Sequence, residues 1–274
     1  MEKFDPKNLK KLYIPPSSSH KGQNGKLLII AGSKLFHSSS LWALKVASRI
    51  LDMVYYSSVP ENNQIVLDAK KEFRDGIVIS RKNIDSYAQE ADCILIGPGL
   101  PRLSGQETGD DDTKKITESL LKKYPLKKWV IDGGSLQVIS PDIIPPTAII
   151  TPHKGEFKML FGLDATGENV QKMAKKYNIT IVTKGEIDFI CSKEKCVEIA
   201  GGNAGMTKGG TGDVLAALIA SLYCKNSDSF LAAAAGSYIN KKAGESLFKK
   251  VGYYFNSSDL VDEIPRTMKS LMLS

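Results

Sequence analysis

Short, unbroken apolar runs that end in glycine or a polar turn recur along this chain. Lys26-Leu27-Leu28-Ile29-Ile30-Ala31-Gly32 is the first, and Ser38 to Leu51 after it is long and apolar enough for a covering helix. Cys93-Ile94-Leu95-Ile96 runs into Gly97-Pro98-Gly99, and Trp129-Val130-Ile131-Asp132 into Gly133-Gly134. Ala148-Ile149-Ile150 leads to Thr151-Pro152-His153, and Thr180-Ile181-Val182-Thr183 to Lys184-Gly185. Continuous runs separated by helical stretches indicate parallel strands buried on both faces. The pattern predicts an α/β three-layer sandwich, with a mostly parallel central sheet and helices on both faces.

Asp188–Cys191 and Cys196–Ile199 read as a hairpin, after which the chain turns helical. Val214, Leu215, Leu218, Ile219 and Leu222 recur at helical spacing, and the stretch from Ser229 to Phe248 is Ala-rich. The first 25 residues, with Pro15-Pro16 ahead of three serines, read as an irregular N-terminal arm, and residues 26–274 as one domain. Ligands of open α/β sheets bind outside the carboxyl ends of the strands, which makes the turns above the candidate site.

Composition narrows the class. Of 274 residues, 42% are hydrophobic and 24% charged, which excludes collagen-like, disordered and coiled-coil chains. No apolar run approaches the roughly 18 residues of a membrane span, and Met1 to Pro6 lacks the apolar core of a signal peptide, so the cytoplasm is expected. The four cysteines, Cys93, Cys191, Cys196 and Cys224, read as reduced structural thiols without metal-ligand spacing. Lys and Arg total 37 against 30 acidic residues, a net charge of +7. The lysine pairs read as solvated helix faces with no aromatic stripe, so neither nucleic acid nor membrane is expected as a partner, whereas an anionic small substrate fits.

The densest chemistry lies in Gly201-Gly202-Asn203-Ala204-Gly205-Met206-Thr207-Lys208-Gly209-Gly210-Thr211-Gly212-Asp213, which opens directly into the helix from Val214. Glycines let the backbone approach a phosphate without Cβ collision, and free N–H groups at a helix start carry partial positive charge. The spacing is neither a P-loop nor GxGxxG. Asp213 has two readings, a helix-start carboxylate satisfied by the dipole or a general base beside a transferring phosphoryl group, and the glycine context favours the second.

Gly-Thr-Gly-Asp opening a late helix resembles the anion hole and catalytic aspartate of the ribokinase superfamily. The further run of motifs is His20-Lys21-Gly22, Ile30-Ala31-Gly32-Ser33, Ile96-Gly97-Pro98-Gly99-Leu100, Thr151-Pro152-His153-Lys154-Gly155-Glu156, and Gly202 through Asp213. In that order they resemble the NAD(P)H-hydrate dehydratases. The resemblance implies a ribokinase-like fold and a lyase of metabolite repair: dehydration of the S form of hydrated NADH or NADPH, by phosphorylation of its C6 hydroxyl and loss of phosphate. It implies ADP or ATP as co-substrate, ADP being preferred, with Mg2+ held by phosphates and waters. Asp213 would be the catalytic base and a substrate contact, with Ser39, Gly99, His153, Lys154, Gly155 and Glu156 also facing the hydrated dinucleotide. Nucleotide contacts would come from Lys184, Gly185, Glu186, Ile187 and Asp188, and from Asn203 through Gly212. A separately encoded epimerase as functional partner and a homo-oligomer follow from the same resemblance.

Five positions depart from the family pattern. Ser38-Ser39 replace Gly-Ala, Gly134 replaces the second acid of Asp-Ala-Asp, Lys154 replaces Pro, and Lys208 replaces a small residue. Lys208 reads either as a phosphate contact or as a solvated loop lysine. Asp110-Asp111-Asp112 read as helix-start stabilisers of the helix at Thr113 rather than magnesium ligands. A sugar or vitamin kinase with the same anion hole, and a catalytically inactive nucleotide-binding homologue, are the competing functions.

Overall fold

The computed structural model describes residues 1–102 and 112–273 of the chain. Ten strands form one sheet: β1 (Glu2–Lys3), β2 (Lys26–Ile30), β3 (Met53–Ser57), β4 (Ile77–Val78), β5 (Cys93–Ile96), β6 (Lys128–Ile131), β7 (Ala148–Ile150), β8 (Thr180–Thr183), β9 (Ile187–Cys191) and β10 (Cys196–Ala200). Their spatial order is β1-β10-β9-β8-β7-β6-β5-β2-β3-β4. Pairings from β4 through β8 are parallel, and only β9 runs against its neighbours.

The helices are α1 (Ser38–Ala47), α2 (Pro60–Ala69), α3 (Ile84–Glu90), α4 (Thr113–Lys123), α5 (Gly133–Leu136), α6 (Lys154–Phe161), α7 (Gly167–Tyr177), α8 (Thr211–Lys225), α9 (Ser229–Val251) and α10 (Ser257–Met272). Alternation of side chains along each strand divides the core in two. Leu27, Ile29, Leu95 and Val130 face the layer of α1, α8, α9 and α10. Leu28, Ile30, Ile94, Ile96, Trp129 and Ile131 face the layer of α3 to α7. The central strands are buried on both sides, as the unbroken apolar runs predict, and the three-layer, mostly parallel architecture holds.

Three details differ from the sequence reading. The N-terminal segment is not irregular: β1 pairs with β10, and a 3-10 turn over Pro6–Lys11 seats Leu9 and Leu12 in the core. Leu9 is 1% exposed, so a single turn with two apolar residues on one face is enough to dock the arm. The covering helix α1 stops at Ala47, and the freed chain feeds β3, whose Val54-Tyr55-Tyr56 run was not read as a strand. Cys191 and Cys196 stand directly opposite each other across the β9–β10 hairpin and are joined as a disulfide, correcting the expectation of four reduced thiols; Cys93 and Cys224 are free and buried. Asp112 caps α4 by accepting from Lys115 N at 3.0 Å, while Asp110 and Asp111 lie outside the described residues.

If the arm is part of the core, Leu9→Ala lowers stability by about 2–5 kcal/mol while Ile14→Ala, at an exposed position of the same arm, changes it by less than about 0.5 kcal/mol. Urea midpoints of the two variants check this.

Candidate active site

Strand order reverses direction between β2 and β5, so the loops leaving their carboxyl ends part and open a crevice. Close backbone approaches shape it. Gly97 has φ +119°, and a Cβ there would stand 1.7 Å from the Asp132 carbonyl oxygen. Gly32 N donates to Pro98 O at 2.8 Å, tying the β2 and β5 turns together. At Gly99 a Cβ would fall 2.8 Å from Ser39 Oγ. Ser39 thus fills the space beside Gly99 at the start of α1, and its hydroxyl lies close enough to the Asp213 carboxylate to favour its charged form. The serine that departs from the family pattern narrows the pocket and adds a donor at once.

Across the crevice α8 begins. Gly210 precedes it at φ +94°, and a Cβ there would lie 2.0 Å from the Trp42 ring, so only glycine fits between ring and helix. No side chain caps this end of α8; Thr211 N donates to Lys208 O at 3.3 Å, while the N–H groups of Gly212 and Asp213 have no bonded partner among the described residues, as an anion site requires. The loop leading in is held by its own polar groups. Asn203 Oδ1 accepts from Gly205 N at 2.9 Å while its Nδ2 donates to Gly244 O at 2.8 Å. Thr207 donates to Ala204 O at 2.8 Å, Thr211 to Met206 O at 2.6 Å, and Ser257 to Gly209 O at 2.8 Å. The Lys208 ammonium donates to Tyr253 O and Phe255 O, so this exposed lysine anchors the loop to the α9–α10 turn.

Three charges meet at the base of the crevice. Asp132, buried at the end of β6, pairs with Lys184 at 2.7 Å and accepts from Thr151 Oγ1 at 2.7 Å. Lys184 Nζ lies 3.3 Å from the position a Cβ would take at Gly212, in the first turn of α8. Burial works against this ammonium, but the carboxylates of Asp132, Glu156 and Asp213 outweigh it and hold its pKa above the ordinary lysine value. Asp213, half-buried, is pushed up to about 6 by burial first and by the Asp132 charge second, with Ser39, Lys184 and Arg102 pulling the other way.

The remaining sequence candidates flank this centre. His153 begins α6 in a capping box: its Nδ1 accepts from Glu156 N at 3.1 Å and Glu156 Oε2 accepts from His153 N at 3.0 Å. The buried Glu156 therefore shapes the turn, while the imidazole edge is half exposed. Lys154 and Gly155 follow on the exposed side of the same turn. In the Lys184–Asp188 turn, Gly185 N donates to Asp188 Oδ1 at 2.9 Å, Ser237 donates to Asp188 Oδ2 at 2.7 Å, and Glu186 and Ile187 are exposed. Buried Lys241 of α9 clasps that turn to the glycine loop, donating to Gly185 O at 2.9 Å, Glu186 O at 3.1 Å and Gly201 O at 3.3 Å.

Asp132, Lys241, Trp42 and Arg102 were missed as site residues by sequence reasoning. Asp132 carried a signal, an acid ending an otherwise apolar strand. The other three reach the site only through tertiary packing. The missing acid at position 134 has a steric cause: a Cβ at Gly134 would lie 2.4 Å from Leu100 O and 2.8 Å from Pro101 O. Two cavities of about 850 Å³ beside β1 and about 250 Å³ beneath α10 lie apart from these residues.

The three-layer α/β body has a ribokinase-like fold, matching the ribokinase of Thermotoga maritima with a TM-score of 0.60 at 12% identity over 89% of this chain and 99% of that one. Within that class, residues 27–266 match the family model described as NAD(P)H-hydrate dehydratase, and the chain belongs to that family. It is 37% identical over 273 residues to the bifunctional NAD(P)H-hydrate repair enzyme Nnr of Methanocaldococcus jannaschii, covering 96% of this chain but only 52% of that protein. It thus spans about half the length of such bifunctional relatives. It is 32% identical over 284 residues to the ADP-dependent (S)-NAD(P)H-hydrate dehydratase of Nitrosopumilus maritimus, covering 95% of each. In structure it resembles the ADP/ATP-dependent NAD(P)H-hydrate dehydratase of Bacillus subtilis co-crystallised with ATP/Mg2+, with a TM-score of 0.82, 23% identity and 98% of each chain covered.

Because the Asp213 pKa stands above its unfolded value of 3.8, its ionisation costs stability as pH rises from about 4 to 6. Asp213→Asn removes that cost. The variant is expected to be more stable than the parent by about 1–3 kcal/mol at pH 7–8, the gain vanishing below about pH 4. Chemical denaturation across pH measures it.

Proposed function

We propose that this chain dehydrates the S form of hydrated NADH or NADPH at the expense of ADP or ATP, ADP being the preferred donor. The observation that carries the reading is a carboxylate with a pKa of about 6 at the lip of an uncapped helix start, with a lysine ammonium beside the same turn. A base poised just below neutral pH and fixed donors for equatorial oxygens are what phosphoryl transfer to an alcohol needs.

In this reading the loop from Asn203 to Gly212 and the turn from Lys184 to Asp188 hold the nucleotide, and Ser39, Gly99 and the His153–Glu156 turn face the hydrated ring. The C6 hydroxyl oxygen attacks the terminal phosphorus, the bond to the nucleotide's bridging oxygen breaks, and Asp213 accepts the hydroxyl proton. Lys184 and the first amides of α8 meet the phosphoryl oxygens. The C6–O bond then breaks with the N1 lone pair assisting, C5 loses a proton, and phosphate departs in place of the poorer leaving group hydroxide. The products are NADH or NADPH, phosphate and, from ADP, AMP.

Magnesium would reach the site with the nucleotide and would offset phosphate charge there. In this reading phosphates and waters hold the ion, as is usual for magnesium. A separate epimerase would supply the S form from its epimer, and homo-oligomerisation and a cytoplasmic setting complete the proposal. No helix among the described residues is long and apolar enough to cross a membrane.

With hydrated NADH and ADP, absorbance near 340 nm is expected to rise, and Asp213→Asn to lower kcat by about 10²-fold or more with nucleotide affinity little changed. A chain that binds ADP but gives no such rise would refute the reading. The acid limb of kcat/KM is expected near pH 6, because Asp213 must be ionised to act. Asp132→Asn removes a negative charge beside it and moves that limb to lower pH, as a pH–rate series of both proteins would reveal.

A further inference from the structure

A cation stands at the mouth of the crevice, within electrostatic reach of Asp213. Arg102 is exposed and makes no ion pair among the described residues, whereas Lys34 of the neighbouring turn pairs with Glu61 at 3.5 Å and Lys184 with Asp132. The backbone that presents it is fixed. Leu100 N donates to Gly97 O at 3.0 Å, Pro101 O accepts from Thr113 Oγ1 at 2.9 Å, and both carbonyls press on Gly134. The place of the acid absent at position 134 is thus taken by the segment that carries a guanidinium to the crevice.

That guanidinium lies over the Phe36 ring, 5.8 Å from its centroid. Phe36 is 40% exposed, and its carbonyl oxygen lies 3.2 Å from where a Cβ would stand at Gly99. The stacked pair therefore belongs to the β5 turn and the α1 approach, the side assigned to the acceptor, while Lys184 serves the first turn of α8. A planar guanidinium orients on an aromatic face and binds phosphate oxygens through two parallel N–H bonds. The acceptor carries a diphosphate, and on that side this guanidinium is a cation already oriented on a ring, whereas Lys154 stands exposed on the His153 turn.

We propose that Arg102, seated on Phe36, binds the diphosphate of the hydrated dinucleotide on the acceptor side of Asp213. The assignment rests on the dehydratase reading for its choice of ligand. It is tested with Arg102→Met and Arg102→Lys beside the unmodified chain, by kinetics with hydrated NADPH and ADP and by NADPH binding without ADP, followed through NADPH fluorescence. Arg102→Met is expected to raise both the KM for the hydrate and the Kd for NADPH by about tenfold, with the KM for ADP changed by less than about twofold. Arg102→Lys should fall between, since it restores charge without the fork, and added salt should weaken NADPH binding by the parent more than by the Met variant. Unchanged hydrate KM and NADPH affinity in Arg102→Met would overturn the proposal, as would an equal rise in the KM for ADP. If the parent binds NADPH without turnover and Arg102→Met loses that affinity, the dehydratase reading falls while the role of Arg102 stands. A parent that neither binds NADPH nor turns over the hydrate overturns both.

Discussion

The crevice is organised by one cation held between two carboxylates. Lys184 is bonded to buried Asp132 at 2.7 Å and also acts on Asp213, to which Arg102 adds a weaker pull, so the two carboxylates share limited positive charge where water is scarce. Asp132 has the better geometry and a second donor in Thr151, which leaves Asp213 as the under-compensated member. Burial first, and the Asp132 charge after it, raises its pKa, which would make it a base matched to neutral pH in the proposed reaction. Breaking a buried pair by removing one partner typically costs about 3–5 kcal/mol, so Asp132 and Lys184 hold each other in place while Asp213 stays free to take a proton.

This arrangement depends on how closely the backbone can pack around it. Asp132 stands where it does because Gly97 lets the β5 turn lie on its carbonyl, and α8 starts where it does because Gly210 accepts the Trp42 ring. Any side chain at either glycine would push the β5 turn from β6 or α8 from α1, and the distances among Asp132, Lys184 and Asp213 would open. The switch point between β2 and β5 supplies the space, and the glycines keep it narrow.

Much of the fold was legible because its signals are local. Unbroken apolar runs marked the central strands, the opposed Cys191 and Cys196 runs marked the hairpin, and the glycine-rich loop marked the start of α8. What escaped was set by contacts distant in sequence. Leu9 and Leu12 look like any residues of a polar arm until α9 and α10 cover them, and β3 follows directly on the stretch read as a covering helix, with no glycine turn to set it off. At the candidate site Asp213 and Lys184 were visible as motif residues, but the pairing of Lys184 with Asp132 and the clasp of Lys241 on two separate turns exist only after folding. The departure at Gly134 read as a lost acid, whereas the structure shows backbone filling that place.

Lys208 shows why the anion hole relies on backbone rather than on a nearby ammonium. A lysine in such a loop could offer a charge, but a flexible stem would have to be ordered each time an anion arrived. Here its ammonium is spent on Tyr253 O and Phe255 O, with Ser257 holding Gly209 O and Trp42 bonding Ser258 at 3.0 Å. These bonds strap the loop to the start of α10, so that ordering is completed on folding. In the proposed reaction the amides at the start of α8 would meet a phosphoryl group already in position, which is the condition under which fixed dipoles favour developing charge over water that must reorient.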